Sequence, residues 1–155
     1  MNKLEELENK IKELVSEIER LKEEKKNEVW EPKDGEEYWF IYHTGAELST
    51  SWHSDAVDEK RYKIGNVFKT EEEARFRVEQ LKVEAELRRF GRKFVPNSRN
   101  YCLRYDHESK VMYIEYFSSI QDGGIYFYTE DIARRAIDTV GEDRIKKYYF
   151  GIKVN

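Results

Sequence analysis

An eleven-residue stretch of this chain recurs with six positions identical, and a chain that carries such a copy is constrained to build two similar pieces. Gly65-Asn66-Val67-Phe68-Lys69-Thr70-Glu71-Glu72-Glu73-Ala74-Arg75 aligns without a gap on Gly124-Ile125-Tyr126-Phe127-Tyr128-Thr129-Glu130-Asp131-Ile132-Ala133-Arg134, with Gly, Phe, Thr, Glu, Ala and Arg identical. The pattern reads as a strand-to-helix junction. Gly makes a turn, Phe is strand core, Thr caps the helix, Glu complements the positive end of the helix dipole, and Ala faces a sheet. Arg75 and Arg134 have no structural task in this reading. The copied element is a structural device, and no catalytic motif is copied with it.

The flanking sequence extends the unit in both copies. Tyr38 to Tyr42 alternates as a strand, with Tyr38, Phe40 and Tyr42 on one face and Trp39 and Ile41 on the other. His43-Thr44-Gly45-Ala46 turns it into a second strand through Leu48 and Trp52, a polar loop runs from Ser54 to Lys63, and a short strand lies around Val67-Phe68. Thr70 with Glu73 forms a capping box, so a helix runs from Glu71 to about Phe90 and stops at Gly91. In the second copy Tyr101–Tyr105 and Val111–Phe117 are strands, Ile125–Tyr128 is a third, and Thr129 caps a helix whose inner face is Ile132, Ala133, Ala136, Ile137 and Val140. A last helical segment spans Glu142 to Phe150. The expected class is α+β, with two β-β-β-α pseudo-repeats (about 36–90 and 100–150) in a domain covering 28–155.

Ahead of that domain, residues 1–27 read as one helix with an unbroken heptad pattern. Leu4, Ile11 and Ile18 occupy one core position and Leu7, Leu14 and Leu21 the other. Ile at two of three a positions with Leu at every d position favours a parallel two-stranded coiled coil. Lys3 then faces Glu8 of the partner and Glu17 faces Lys22, both attractive pairs. At 1.5 Å per residue the helix is about 40 Å long. Three heptads alone are marginal, so the expected homodimer, or a higher oligomer, draws help from the domain. The bland alternative is an amphipathic helix packed on its own domain, which usually carries a wider apolar stripe.

Composition limits what the chain can do. Charged residues make up 39%, yet 11 Tyr, 8 Phe and 3 Trp supply a core that disordered chains lack. A net charge of -4 argues against bulk attraction to nucleic acid or anionic lipid. One cysteine, Cys102, excludes an internal disulfide and fits a reducing compartment. No apolar run approaches the roughly 18 residues of a membrane span, and the charged N-terminus lacks a signal peptide's apolar core, so a cytoplasmic protein is expected. Cys102 lacks a nucleophile's signature, and no phosphate loop, dinucleotide fingerprint, zinc helix or nucleophile elbow is present. His43 and His53 with Asp55 and Asp58 have metal-ligand chemistry, but His43 sits at a hairpin turn and His53 lies about 20 Å down the return strand. No enzyme, cofactor or metal is expected.

The sharpest polar signal is basic. Arg88, Arg89, Arg92, Lys93, Arg99 and Arg104 fall between Leu87 and Tyr105 with no acid among them, interleaved with Phe90, Phe94 and Tyr101. Aromatics among arginines suit single-stranded nucleic acid or a nucleotide phosphate, and the same run suits an acidic protein surface. The plain alternative is a helix C-terminus followed by a solvated linker. Exposed aromatics such as Trp52, or Tyr148 with Tyr149, would add a contact surface for a partner.

Trp30-Glu31-Pro32 with Gly35-Glu36-Glu37-Tyr38, then Gly65 to Ala74, then Gly141 to Tyr148 with Phe150-Gly151, resembles a group of small accessory proteins of phages and prophages of Gram-positive bacteria. The likeness covers roughly Trp30 to Ile152. It implies a setting rather than a chemistry: the cytoplasm of an infected bacterium, where small non-enzymatic proteins bind and block a host protein, including defence components such as CRISPR effectors or nucleotide-signal pathways. The expectation is therefore a dimeric, non-enzymatic inhibitor or sequestering protein. The alternative is a nucleic-acid or nucleotide-binding module built on segment 88–104.

Overall fold

The computed structural model describes residues 2–153 as a mixed α+β protein with two separate antiparallel two-stranded sheets. The elements run α1 (Lys3–Asn27), β1 (Glu37–Ile41), β2 (Glu47–Ser51), α2 (Ala56–Lys63), α3 (Glu71–Phe90), β3 (Asn100–Asp106), β4 (Val111–Phe117), α4 (Glu130–Val140) and α5 (Glu142–Arg144). A π-helical turn, Ile145–Tyr149, continues α5, where an unbroken helical segment to Phe150 was expected.

In the N-terminal half, Tyr38 pairs with Thr50 and Phe40 with Leu48, which places Tyr38 and Phe40 on one face of the hairpin. That face joins Trp52, Trp30, Tyr62 and Val67 in a small aromatic core. Trp52 is 2% exposed, so it is core and not the contact surface it was expected to offer. The segment from Ser54 to Lys63 is also not a polar loop. Asp55 accepts from the backbone N–H groups of Val57 and Asp58 at 2.8 Å each and starts α2 there. The helix has no apolar stripe to announce it; it is anchored by Asp58, a buried carboxylate that accepts from the Tyr38 hydroxyl at 2.6 Å and from the His53 N–H at 2.8 Å. Arg61, one turn on, donates to the same Tyr38 oxygen at 2.9 Å and lies 3.6 Å above the Phe40 ring.

The expected third strands shrink to isolated bridges, one in the N-terminal half and two in the C-terminal half. Phe68 and Trp39 exchange both backbone hydrogen bonds at 2.8 Å, and Phe127 and Tyr101 do the same at 2.7 and 3.2 Å. Pairing goes no further because other groups take the neighbouring positions. The Asn66 side chain stands in for backbone, accepting from Ile41 N–H at 2.7 Å and donating to its carbonyl at 2.9 Å. In the C-terminal half, the Tyr126 carbonyl accepts from Arg92 N–H at 2.7 Å, and Ile125 N–H donates to the Tyr149 hydroxyl at 3.3 Å.

The junctions that match in sequence also match in most of their contacts. Thr70 and Thr129 accept from the N–H three residues on, and Ala74 and Ala133 are fully buried. Arg75 pairs with Glu71 at 2.6 Å and Arg134 with Glu130 at 2.7 Å, one turn apart on α3 and α4. These pairs give the two arginines the task the sequence left open. The glycines differ: Gly65 has φ +72°, whereas in the second junction positive φ falls on Gly123, one residue before Gly124.

α3 holds the halves together. It packs against β1 and β2 and also against α4 and the π-helical turn. Val83 and Leu87 enter the larger core with Leu103, Phe127, Ala136 and Ile145, while Leu81 and Phe76 on the same helix are 42% and 37% exposed. Glu86 accepts from both terminal nitrogens of Arg144 at 2.9 and 3.0 Å, a bidentate clamp between α3 and α5. No helix among the described residues is long and apolar enough to cross a membrane.

Candidate functional site

Two features stand outside these cores. The first is α1. Asn2 caps it, accepting from Glu5 N–H at 2.9 Å while the Glu5 carboxylate accepts from Asn2 N–H at 3.0 Å. Every described residue of the helix is exposed, and the seam residues Leu4, Leu7, Ile11, Leu14, Ile18 and Leu21 are each at least 50% exposed. The bland alternative, a helix packed on its own domain, has no support in these burials. Val15 adjoins the seam and is 49% exposed, so the apolar stripe is slightly wider than a strict a/d pattern. Arg20 binds Glu17 and Glu24 along the helix, at 2.5 and 2.9 Å.

The second feature is the basic segment, which folding divides. Arg104 leaves it, pairing with Asp122 at 2.8 Å and lying 4.8 Å from the Phe117 ring. Asp122 also accepts from the Tyr126 hydroxyl at 2.6 Å; that bond outweighs burial and holds its carboxyl below the usual aspartate range. The Asp122 turn is thereby pinned to β3. Arg99 lies 5.0 Å from the Tyr116 ring, and Arg89 is exposed on α3 away from the groove described next. Arg92 is tied to its own loop, donating to the Arg99 carbonyl at 2.8 Å and the Lys93 carbonyl at 3.4 Å, with its guanidinium 5.2 Å from the Tyr128 ring.

The loop itself is held by Asn100, which is fully buried. Its Nδ2 donates to the carbonyls of Val95, Ser98 and Phe117, and its Oδ1 accepts from Val95 N–H, all at 2.9 Å. Arg88, Arg92 and Lys93 then line one side of a groove of about 610 Å³, with Phe94 and Tyr126 in it and Gly123 and Gly124 opposite. Gly91 permits the close approach, since a Cβ there would lie 3.0 Å from Ile125 Cγ2 and 3.2 Å from the Tyr126 carbonyl. Nothing local in the sequence marks Gly123-Gly124 as lining a groove with Arg88. A second hollow of about 420 Å³ shares Arg88 and both glycines and reaches Cys102, Glu84 and Tyr149.

Cys102 is buried; burial pushes its thiol up, against the opposing effect of Arg104, so the protonated form prevails. His53 faces Asp34 at 3.2 Å on the surface, His43 stacks on Tyr42, and among the described residues no three His, Cys, Asp or Glu side chains are grouped to hold a metal. Tyr148 and Tyr149 are half-buried against Phe76 and Phe150 and do not form a free aromatic surface. No protein-family model matches the chain, and neither a curated protein nor a solved structure matches it.

Proposed function

We propose that this chain is a non-enzymatic interaction protein that dimerises in parallel through α1 and uses its α+β domain, two copies of one small unit, to bind and block a protein partner. The observation that carries the reading is the exposure of all six seam residues on a helix that makes no core of its own. A contiguous apolar stripe of this length in water marks an association surface. A second copy fits it best, because the seam repeats every seven residues and the flanking charges Lys3–Glu8 and Glu17–Lys22 are complementary when two such helices lie parallel. The resemblance to phage accessory proteins supplies the partner class: a host protein in an infected bacterial cytoplasm, with defence components such as CRISPR effectors among the targets.

Light scattering on the full chain tests the dimer. The 18.7 kDa chain is expected to run at twice its mass, and Leu14→Lys or removal of 1–27 to return it to the monomer. An unchanged mass in both variants would refute the seam. Affinity capture from bacterial lysate, with the Leu14→Lys chain as a control, then identifies the partner.

A further inference from the structure

The groove between the end of α3 and the Gly123–Gly124 turn has a chemistry that dimerisation does not use. Three cationic side chains, Arg88, Arg92 and Lys93, contribute to its lining, and no carboxylate does. The negative end of the α3 dipole, equivalent to about half a charge, is outweighed by three full ones. Gly123 (φ +78°) adds backbone with open space where a side chain would stand, whereas at Gly124 the Asp122 carboxylate lies beside the backbone and accepts from its N–H at 3.1 Å. Phe94 and Tyr126 meet edge to face with ring centroids 5.2 Å apart, and Tyr128, 67% exposed, stands beside Arg92. Arg92 Nε is buried without a hydrogen-bond partner in a guanidinium otherwise tied to two carbonyls. The groove's volume of about 610 Å³ falls within the range of small-molecule sites, and Asn100 hydrogen-bonds the loop that follows Lys93 and Phe94.

From this arrangement we infer that the groove binds a nucleotide, with the phosphate on Arg88 and Lys93 and the base against the Phe94 ring. Cationic side chains beside exposed aromatic faces are what phosphate and base require together. The site is narrower than the linear basic segment: Arg104 is neutralised by Asp122, and Arg89 does not line the groove. A nucleotide-sized ligand, rather than a strand of nucleic acid, fits a groove whose cations are confined to three residues in a chain of net charge -4.

The test is calorimetric titration of the full chain with ADP, inorganic phosphate and a ten-residue oligothymidylate at two salt concentrations. ADP is expected to bind, phosphate to compete with it, and raised salt to weaken both. Arg88→Gln and Lys93→Gln, both at exposed positions, are each expected to weaken ADP at least ten-fold, while Arg89→Gln leaves it unchanged. Thermal melts and light-scattering mass, unchanged in all three, separate loss of the site from loss of fold or of the dimer. No ADP binding at millimolar concentration, an equal loss in Arg89→Gln, or oligothymidylate binding without ADP binding would each overturn the inference.

Discussion

Asp58 offers the most direct measurement of what holds the N-terminal half together. Its carboxylate is 3% exposed and is the acceptor for two donors, the Tyr38 hydroxyl at 2.6 Å and the His53 N–H at 2.8 Å. Asp58→Ala leaves both donors without that acceptor. At about 1–3 kcal/mol for each orphaned group, the loss is about 2–6 kcal/mol, a large share of the roughly 5–15 kcal/mol that a domain of this kind holds. Asp58→Asn keeps one acceptor oxygen and is expected to lose about half as much. The assay is urea unfolding followed by tryptophan fluorescence, since Trp52 lies in the same core. With a slope of about 2 kcal/mol per molar urea, the alanine midpoint falls by about 1–3 M.

Proton linkage gives an independent check. Burial pushes the Asp58 carboxyl up, but the Tyr38 hydroxyl and then the His53 N–H outweigh it and hold the group below its ordinary 3.8. A carboxyl depressed in the folded state contributes stability that is fully present above its unfolded value and is lost as pH falls through the folded one. The wild type is therefore expected to lose stability below about pH 4, and Asp58→Ala to show a smaller loss over the same range. An alanine midpoint within experimental error of wild type, or parallel pH curves for the two proteins, would refute the account of Asp58 as the anchor of α2.

Two further substitutions probe the scaffold of the groove. Asn100→Ala removes four hydrogen bonds and leaves Val95 N–H and three carbonyls to find other partners; destabilisation of about 2–4 kcal/mol in denaturant titration is expected, with faster amide exchange across 92–99. Gly91→Ala places a methyl 3.0 Å from Ile125 Cγ2 at an ordinary φ, so the cost is overpacking, about 1–3 kcal/mol, read as a lower melting temperature and a weakened Arg92–Tyr126 bridge.

Local signals carried into the structure where a single short-range rule decides the outcome. The Thr70 capping box, the Gly91 stop and the N-terminal helix each rest on residues within a few positions of one another, and both hairpins follow from strand alternation on either side of a short turn. Elements fixed by distant polar contacts were not legible. α2 depends on a hydrogen bond between residues 20 apart in sequence, Tyr38 and Asp58, and its own periodicity is silent. The third strands were overdrawn because the Asn66 amide in one half, and the Arg92 N–H and Tyr149 hydroxyl in the other, satisfy the neighbouring groups. The basic segment was visible as composition, but its division was not: Asp122, which removes Arg104 from it, lies 18 positions later, and the opposite wall of the groove comes from the same distant turn.

The position of α3 bears on how the protein unfolds and how it can be cut. It packs against β1 and β2, yet Val83 and Leu87 are fully buried in the core of the C-terminal half. Severing the chain after Phe90 would therefore leave one fragment with bare leucine and valine and the other with a hole where they sat. However closely the two junctions match, neither half is a self-sufficient body, and heat or denaturant should melt residues 30–153 in a single step.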